Sequence, residues 1–262
     1  MHPKFTTVGI LIYAAIVLWL LATLPRPAND RLRRGSFLLG GLVALAAFVF
    51  RWIETSHVPL QSLFDVFLAL GVVVVPLWLF CERFLDARTT MSHAAAAVAG
   101  VCVLLPAGLV FPADPQPLPP ALQSPLFVPH VGAYMLAYVI LVLAGLAAAR
   151  QLVTSGERAG RLEQLSSRMV RLGFPLLTLG LVLGAVWGKL CWGDYWNWDP
   201  KELWSLATWL TFAAYLHWRG WHGVRFARTN AVLILLGVAC VILTLLWVNL
   251  SRLFPGMHRY AA

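Results

Sequence analysis

Residues 192–204 read "WGDYWNWDPKELW", and Trp192, Tyr195, Trp196 and Trp198 crowd its first half. Flat rings on a short connection suit stacking on a planar apolar ligand, and indole N–H groups can reach that ligand's polar substituents. The competing reading is an aromatic belt, because Trp and Tyr collect at headgroup level in membrane proteins. A belt needs a ring or two at a helix end, whereas this cluster sits on a connection interrupted by Gly193. The second half has a plainer account. Asp199 at the N-cap, Pro200 at the first helical position and Glu202 two residues later spell the start of a helix.

Histidines are the second source of chemistry. Neutral imidazole is a standard axial ligand of haem iron, and two imidazoles on opposite ring faces hold it low-spin. His57, His130 and His258 each fall at the edge of an apolar run, where a lone His is ordinarily just an interfacial polar residue. Two or three of them meeting at one aromatic connection would be a binding site. His217 differs, lying 15 residues past Glu202 and hence about 22 Å along the same helix. Ionisable residues within a span are functional candidates by default. The four cysteines form no CxxC pair and no CxxCH, so the chain is neither a c-type cytochrome nor a thioredoxin-like oxidoreductase. Only Cys191, beside the aromatic cluster, is placed to meet water.

The elements that must position these residues are membrane helices. Hydrophobic residues make up 60% of the 262 and charged residues 12%, with a mean hydropathy of +0.76. Several apolar runs reach the roughly 20 residues needed to cross hydrocarbon. Eight spans are expected, at about 5–24, 36–53, 60–81, 93–111, 130–150, 172–190, 202–218 and 230–249. The fold class is thus an all-α polytopic membrane protein, read as a single integral-membrane domain over 1–262 with its first span retained. The net charge of +9 does not signal nucleic-acid binding, because 14 of the 20 basic residues sit in the connections 25–35, 82–92, 150–171 and 219–229. Positive-inside bias then places both termini and the tryptophan-rich connection outside the cytoplasm. The Pro-rich segment 112–129 reads as a stiff surface linker. Arg51 and Asp65 are equidistant from residue 58, so a helical hairpin turning there would pair them and hold His57 in place.

The stretch "WGDYWNWDPKELWSLATWLTFAAYLHWR" closely resembles the tryptophan-rich WWD signature of the CcsA/ResC family of cytochrome c biogenesis proteins. "HVPLQSLFDVFLAL" is similar to that family's His-x-Pro-Leu segment, and "WVNLSRLFPGMHRYA" to its C-terminal segment ending in a His. The resemblance implies a haem-delivery subunit of the bacterial plasma membrane. It would present haem b, transiently bound at the WWD loop (about 187–204), for covalent attachment to the CxxCH of apocytochrome c. By the same resemblance, His130 and His258 become the external iron ligands. Trp192, Trp196, Trp198 and Asp199, with Tyr195 beside them, become the haem platform. His217 becomes the intramembrane histidine, and His57 a further match. The implied partners are apocytochrome c and a second membrane subunit with a large extracytoplasmic domain, which together would form a cytochrome c synthase (haem lyase) complex. No residue reads as a dedicated general base. The alternative is a HemX-like protein tied to haem synthesis or its regulation, without delivery to apocytochrome. A b-type electron carrier would place histidine pairs within facing spans, and a transporter would need paired broken helices at mid-membrane.

Overall fold

The computed structural model describes residues 4, 6–24, 30–85 and 92–247. Among these residues the chain is all-helical, with eight α-helices. They are α1 (Thr7–Thr23), α2 (Asp30–Thr55), α3 (Leu63–Phe84), α4 (His93–Leu109), α5 (Phe127–Leu152), α6 (Gly156–Trp192), α7 (Pro200–His222) and α8 (Ala227–Ile242). One π-helical turn, Leu243–Trp247, continues from α8. Five of the eight, α2, α3, α5, α6 and α8 with its continuation, are long and apolar enough to cross a membrane. α1 and α4 are shorter apolar helices.

The helix starts follow capping chemistry. Thr6 caps α1 by accepting from the amide of Gly9, and Ser62 and Asp65 form a reciprocal capping box on α3. α6 differs most from its expected span. It begins 16 residues before position 172, inside the basic connection, and runs 37 residues. At 1.5 Å per residue that is about 55 Å, well beyond the roughly 30 Å hydrocarbon core. The extension is an amphipathic helix whose buried face carries Leu162, Leu165, Met169 and Val170.

The helices fall into two compact units that divide between Pro119 and Pro120. The first contains α1 to α4. In lipid, apolar burial does not favour protein over bilayer, so close approach and interhelical hydrogen bonds carry the association. Trp19 of α1 shows both: a Cβ on Gly40 or Gly100 would stand about 2.5–2.6 Å from its indole. Its Nε1 donates to the Phe37 carbonyl at 3.0 Å. At one end of this unit Arg51, 2% exposed, donates through Nε to Asp65 Oδ1 at 2.8 Å and through Nη1 to the Ala113 carbonyl at 2.7 Å. The expected Arg51–Asp65 pair is therefore present, and it also fastens the Pro-rich segment. His57 Nε2 and Gln61 Nε2 reach the Gln116 and Pro117 carbonyls of the same segment.

The second unit contains α5 to α8. α5 and α6 pack along much of their lengths. Trp209 Nε1 of α7 donates to Thr178 Oγ1 of α6 at 2.9 Å. Near the other end of α7, Glu163 is 1% exposed and accepts both Arg219 Nε and Arg219 Nη2, at 2.9 and 3.1 Å, together with Asn230 Nδ2 at 2.9 Å. One carboxylate thereby joins α6, α7 and α8.

Candidate functional site

α6 ends at Trp192, and Gly193 reverses the chain with φ +92°, a left-handed conformation glycine adopts at little cost. Trp192 is thus the last helical residue, and the loop proper is 193–199. α7 starts as its sequence dictates. Asp199 is the N-cap, Pro200 opens the helix, and Asp199 and Glu202 form a reciprocal capping box.

Glu202 does more than cap. Its Oε2 accepts the Asn197 amide at 2.7 Å and the Asp199 amide at 3.2 Å. The residue between them, Trp198, has φ +59°, a left-handed value that costs a bulky L-residue about 1–2 kcal/mol. A single carboxylate oxygen therefore clamps both sides of a strained tryptophan. Trp198 is 67% exposed and Tyr195 60% exposed, while Trp196 meets Trp198 edge-on at 6.0 Å. Lys189 Nζ caps the Gly193 carbonyl and lies 5.6 Å from the centre of the Tyr195 ring. Two buried donors of the loop, Trp196 Nε1 and Asn197 Nδ2, have no hydrogen-bond partner among the described residues. Each is a ready donor for an acceptor oxygen on a ligand.

His130 lies in the first turn of α5, in the same unit as the loop. Its Nδ1 is 2.8 Å from the Gly180 carbonyl of α6. A carbonyl only accepts, so Nδ1 carries the proton and Nε2 is the basic nitrogen of the neutral ring. The imidazole stands 5.6 Å from Trp187, whose Nε1 donates to the Ala121 carbonyl at 3.0 Å. Trp187 in turn lies 5.1 Å from Trp192. A run of rings thus leads from His130 to the start of the loop. Trp187 and Gly180 were not singled out in the sequence. The glycine spacing at 180, 184 and 188, which brings helices together, is the signal that points to them.

The other candidates separate. His217 is exposed, its Nδ1 bonded to the Ala213 carbonyl at 2.8 Å and its ring 6.1 Å from Trp221. His57 belongs to the first unit, and its two ring nitrogens face the Val58 and Gln116 carbonyls at 3.1 and 3.3 Å. His258 lies outside the described residues. Cys191 points its sulfur at the Ala121 carbonyl at 3.4 Å.

For haem, the donor chemistry fits. His130 offers Nε2 with its tautomer already set by a backbone acceptor, the usual outer-shell arrangement for a metal-binding imidazole. The loop offers flat exposed rings and two buried donors that are unsatisfied among the described residues.

Comparison with known proteins shows the family of the chain. Residues 6–255 match the family of cytochrome C assembly proteins. The chain is 32% identical to the cytochrome c biogenesis protein CcsA of Synechococcus sp. (strain RCC307), covering 96% of this chain and 94% of that one. It is 34% identical to CcsA of Guillardia theta, over 86% of this chain and 84% of the relative. Among solved structures, cytochrome c heme lyase CcmF superposes with a TM-score of 0.66 at 21% identity over 91% of this chain. The match takes in 44% of CcmF's length, and it shows a shared fold.

Proposed function

Because this chain belongs to the cytochrome c assembly protein family, we propose that it is the haem-binding, haem-delivering subunit of cytochrome c maturation. The observation that supports this reading is the His130–Gly180 hydrogen bond, which engages Nδ1 and so makes Nε2 the nitrogen that would ligate iron, in the same unit as the tryptophan-rich loop. Bound there, haem b would supply iron for axial ligation and vinyl groups for thioether bonds to the cysteines of an apocytochrome CxxCH.

The chain's own residues supply position. His130 and, from the C-terminal segment, His258 would be the residues that hold the iron. Trp192, Trp196 and Trp198, with Tyr195, would supply the flat apolar surface for the porphyrin. Asp199 and Glu202 keep the loop in register with α7. His217 would be a further imidazole ligand, within the membrane. His57 is left out of this ligand set because both its nitrogens already face carbonyls. Holding the acceptor in place lowers the barrier by converting a bimolecular encounter into an oriented one. The loop and both termini lie on the extracytoplasmic side of a bacterial plasma membrane, in keeping with the distribution of Lys and Arg. Apocytochrome c and a second membrane subunit with a large extracytoplasmic domain complete the assembly.

The test is the absorption spectrum of the purified protein beside His130→Ala and His258→Ala. The expected wild-type spectrum is that of a six-coordinate bis-imidazole haem, lost in either variant. Haem binding indifferent to both changes overturns the assignment. Normal cytochrome c maturation by His258→Ala would instead favour a role tied to haem synthesis.

A further inference from the structure

We infer that α6 is the positioning socket of His130, and that Gly184 is the residue on which the direction of its Nε2 depends. The inference rests on the proposed role of His130 as an iron ligand. Four features of the socket act on one imidazole. The Gly180 carbonyl takes the Nδ1 proton at 2.8 Å. Tyr134, one turn along α5, meets the ring edge-on at 5.2 Å and 89°. Trp187 lies on another side at 5.6 Å. Gly184 closes the box, since a Cβ there would stand 2.5 Å from His130 Cε1 and 2.9 Å from Nδ1. Real Cβ atoms do not approach other heavy atoms that closely, so any side chain at 184 must push the ring away.

Helix geometry explains why this position matters. The Cα–Cβ bond of a helical residue tilts toward the N-terminus, so a side chain at 184 leans over the carbonyl four residues earlier. That carbonyl belongs to Gly180. A bare Cα at 184 therefore provides the space for the imidazole and also leaves the Gly180 oxygen open to an acceptor role from the side. The oxygen's second lone pair takes the Nδ1–H while the first remains available to the helix. Nδ1 and Nε2 flank Cε1 in one rigid ring, so fixing the direction of one aims the other. Donation from Nδ1 also raises the basicity of Nε2 toward a metal. Gly180 is itself tightly seated, with a Cβ there 2.9 Å from Tyr134 Cδ2, so the socket cannot slide along α5 to make room.

The experiment compares Gly184→Ala with Gly132→Ala in the full-length protein. Position 132 is two residues from His130, and a Cβ there meets nothing within 4 Å, so it reports any general effect of adding a methyl group to this region. The readouts are the electron paramagnetic resonance and absorption spectra of bound haem and its dissociation constant, with and without added free imidazole. Gly184→Ala is expected to weaken haem binding about 10–100-fold, the usual cost of losing an outer-shell partner. It should also convert part of the low-spin signal to high-spin, and free imidazole should restore that signal because it replaces a misdirected ligand. Gly132→Ala should match wild type. In a His130→Ala background, Gly184→Ala should add no further loss. Wild-type binding by Gly184→Ala beside a defective His130→Ala overturns the inference and leaves the function standing. A Gly184→Ala loss that imidazole cannot repair, or that adds to the His130→Ala loss, places the effect in helix packing and also overturns it. Wild-type binding by His130→Ala removes the functional reading itself.

Discussion

At the scale of the residue, Trp198 sets stability against binding. Its left-handed backbone is a local cost held in place by Glu202, and its ring is largely exposed, so the fold gains little from it. Trp198→Gly is expected to leave the thermal midpoint of the purified protein unchanged or higher while haem affinity falls. A lower midpoint with intact haem binding would refute this division of roles. Lys4 gives a pH dependence at the same scale. Burial and the neighbouring Arg51 charge lower its ammonium from 10.5 to about 8, against a smaller opposing effect of Asp114. It sits beside a cavity of about 640 Å³ lined in part by Arg51, Phe64 and Asp114. Between pH 8 and 10.5 the unfolded chain binds this proton and the folded chain does not, so stability should rise with pH across that window. Lys4→Met should flatten the rise, as measured by thermal unfolding in detergent at stepped pH.

At the scale of the element, two buried carboxylates decide how helices are held. Asp65 faces a buried guanidinium and buried Glu163 a partly exposed one, whereas the Glu157–Arg161 pair on the start of α6 is exposed. Removing one partner of a buried pair costs about 3–5 kcal/mol, but an exposed pair contributes about 0–1 kcal/mol. Glu163→Gln and Asp65→Asn should therefore lower the unfolding midpoint markedly, and Glu157→Gln should not. Equal effects of all three would refute the ranking. The Arg51–Asp65 pair and the start of α7 were legible in the sequence because hairpin symmetry and capping are local rules. The first 16 residues of α6 were not, because hydropathy seeks continuous apolar runs and this segment alternates buried Leu162, Leu165 and Met169 with arginines. The socket for His130 was hidden for another reason. Apart from the Tyr134 and Trp187 rings, it is made of absent side chains at Gly180 and Gly184 and of one backbone oxygen, which only the four-residue glycine spacing marks in the sequence.

At the scale of the whole molecule, this is a helical membrane protein whose match to the cytochrome c assembly family, over residues 6–255, runs through both of its units. His130, the tryptophan-rich loop and His217 all belong to the unit after Pro119, and His258 follows them in the same stretch of chain. Co-expressing 1–119 and 120–262 as separate polypeptides should thus leave the haem spectrum of the 120–262 half intact. Loss of that spectrum, with both polypeptides present in the membrane, would show that the first unit contributes directly to haem binding.

The Glu202 clamp has a further consequence, on a timescale rather than in an energy. Amide protons in exposed loops ordinarily exchange with solvent deuterium within moments, because nothing shelters them. Those of Asn197 and Asp199 are held by a carboxylate anchored in the first turn of a long helix. In a hydrogen-exchange experiment they should persist long after the amides of Asp194 and Tyr195, so that a slow pair stands isolated within a fast loop. Glu202→Ala should erase that signature even where the helix beyond it survives.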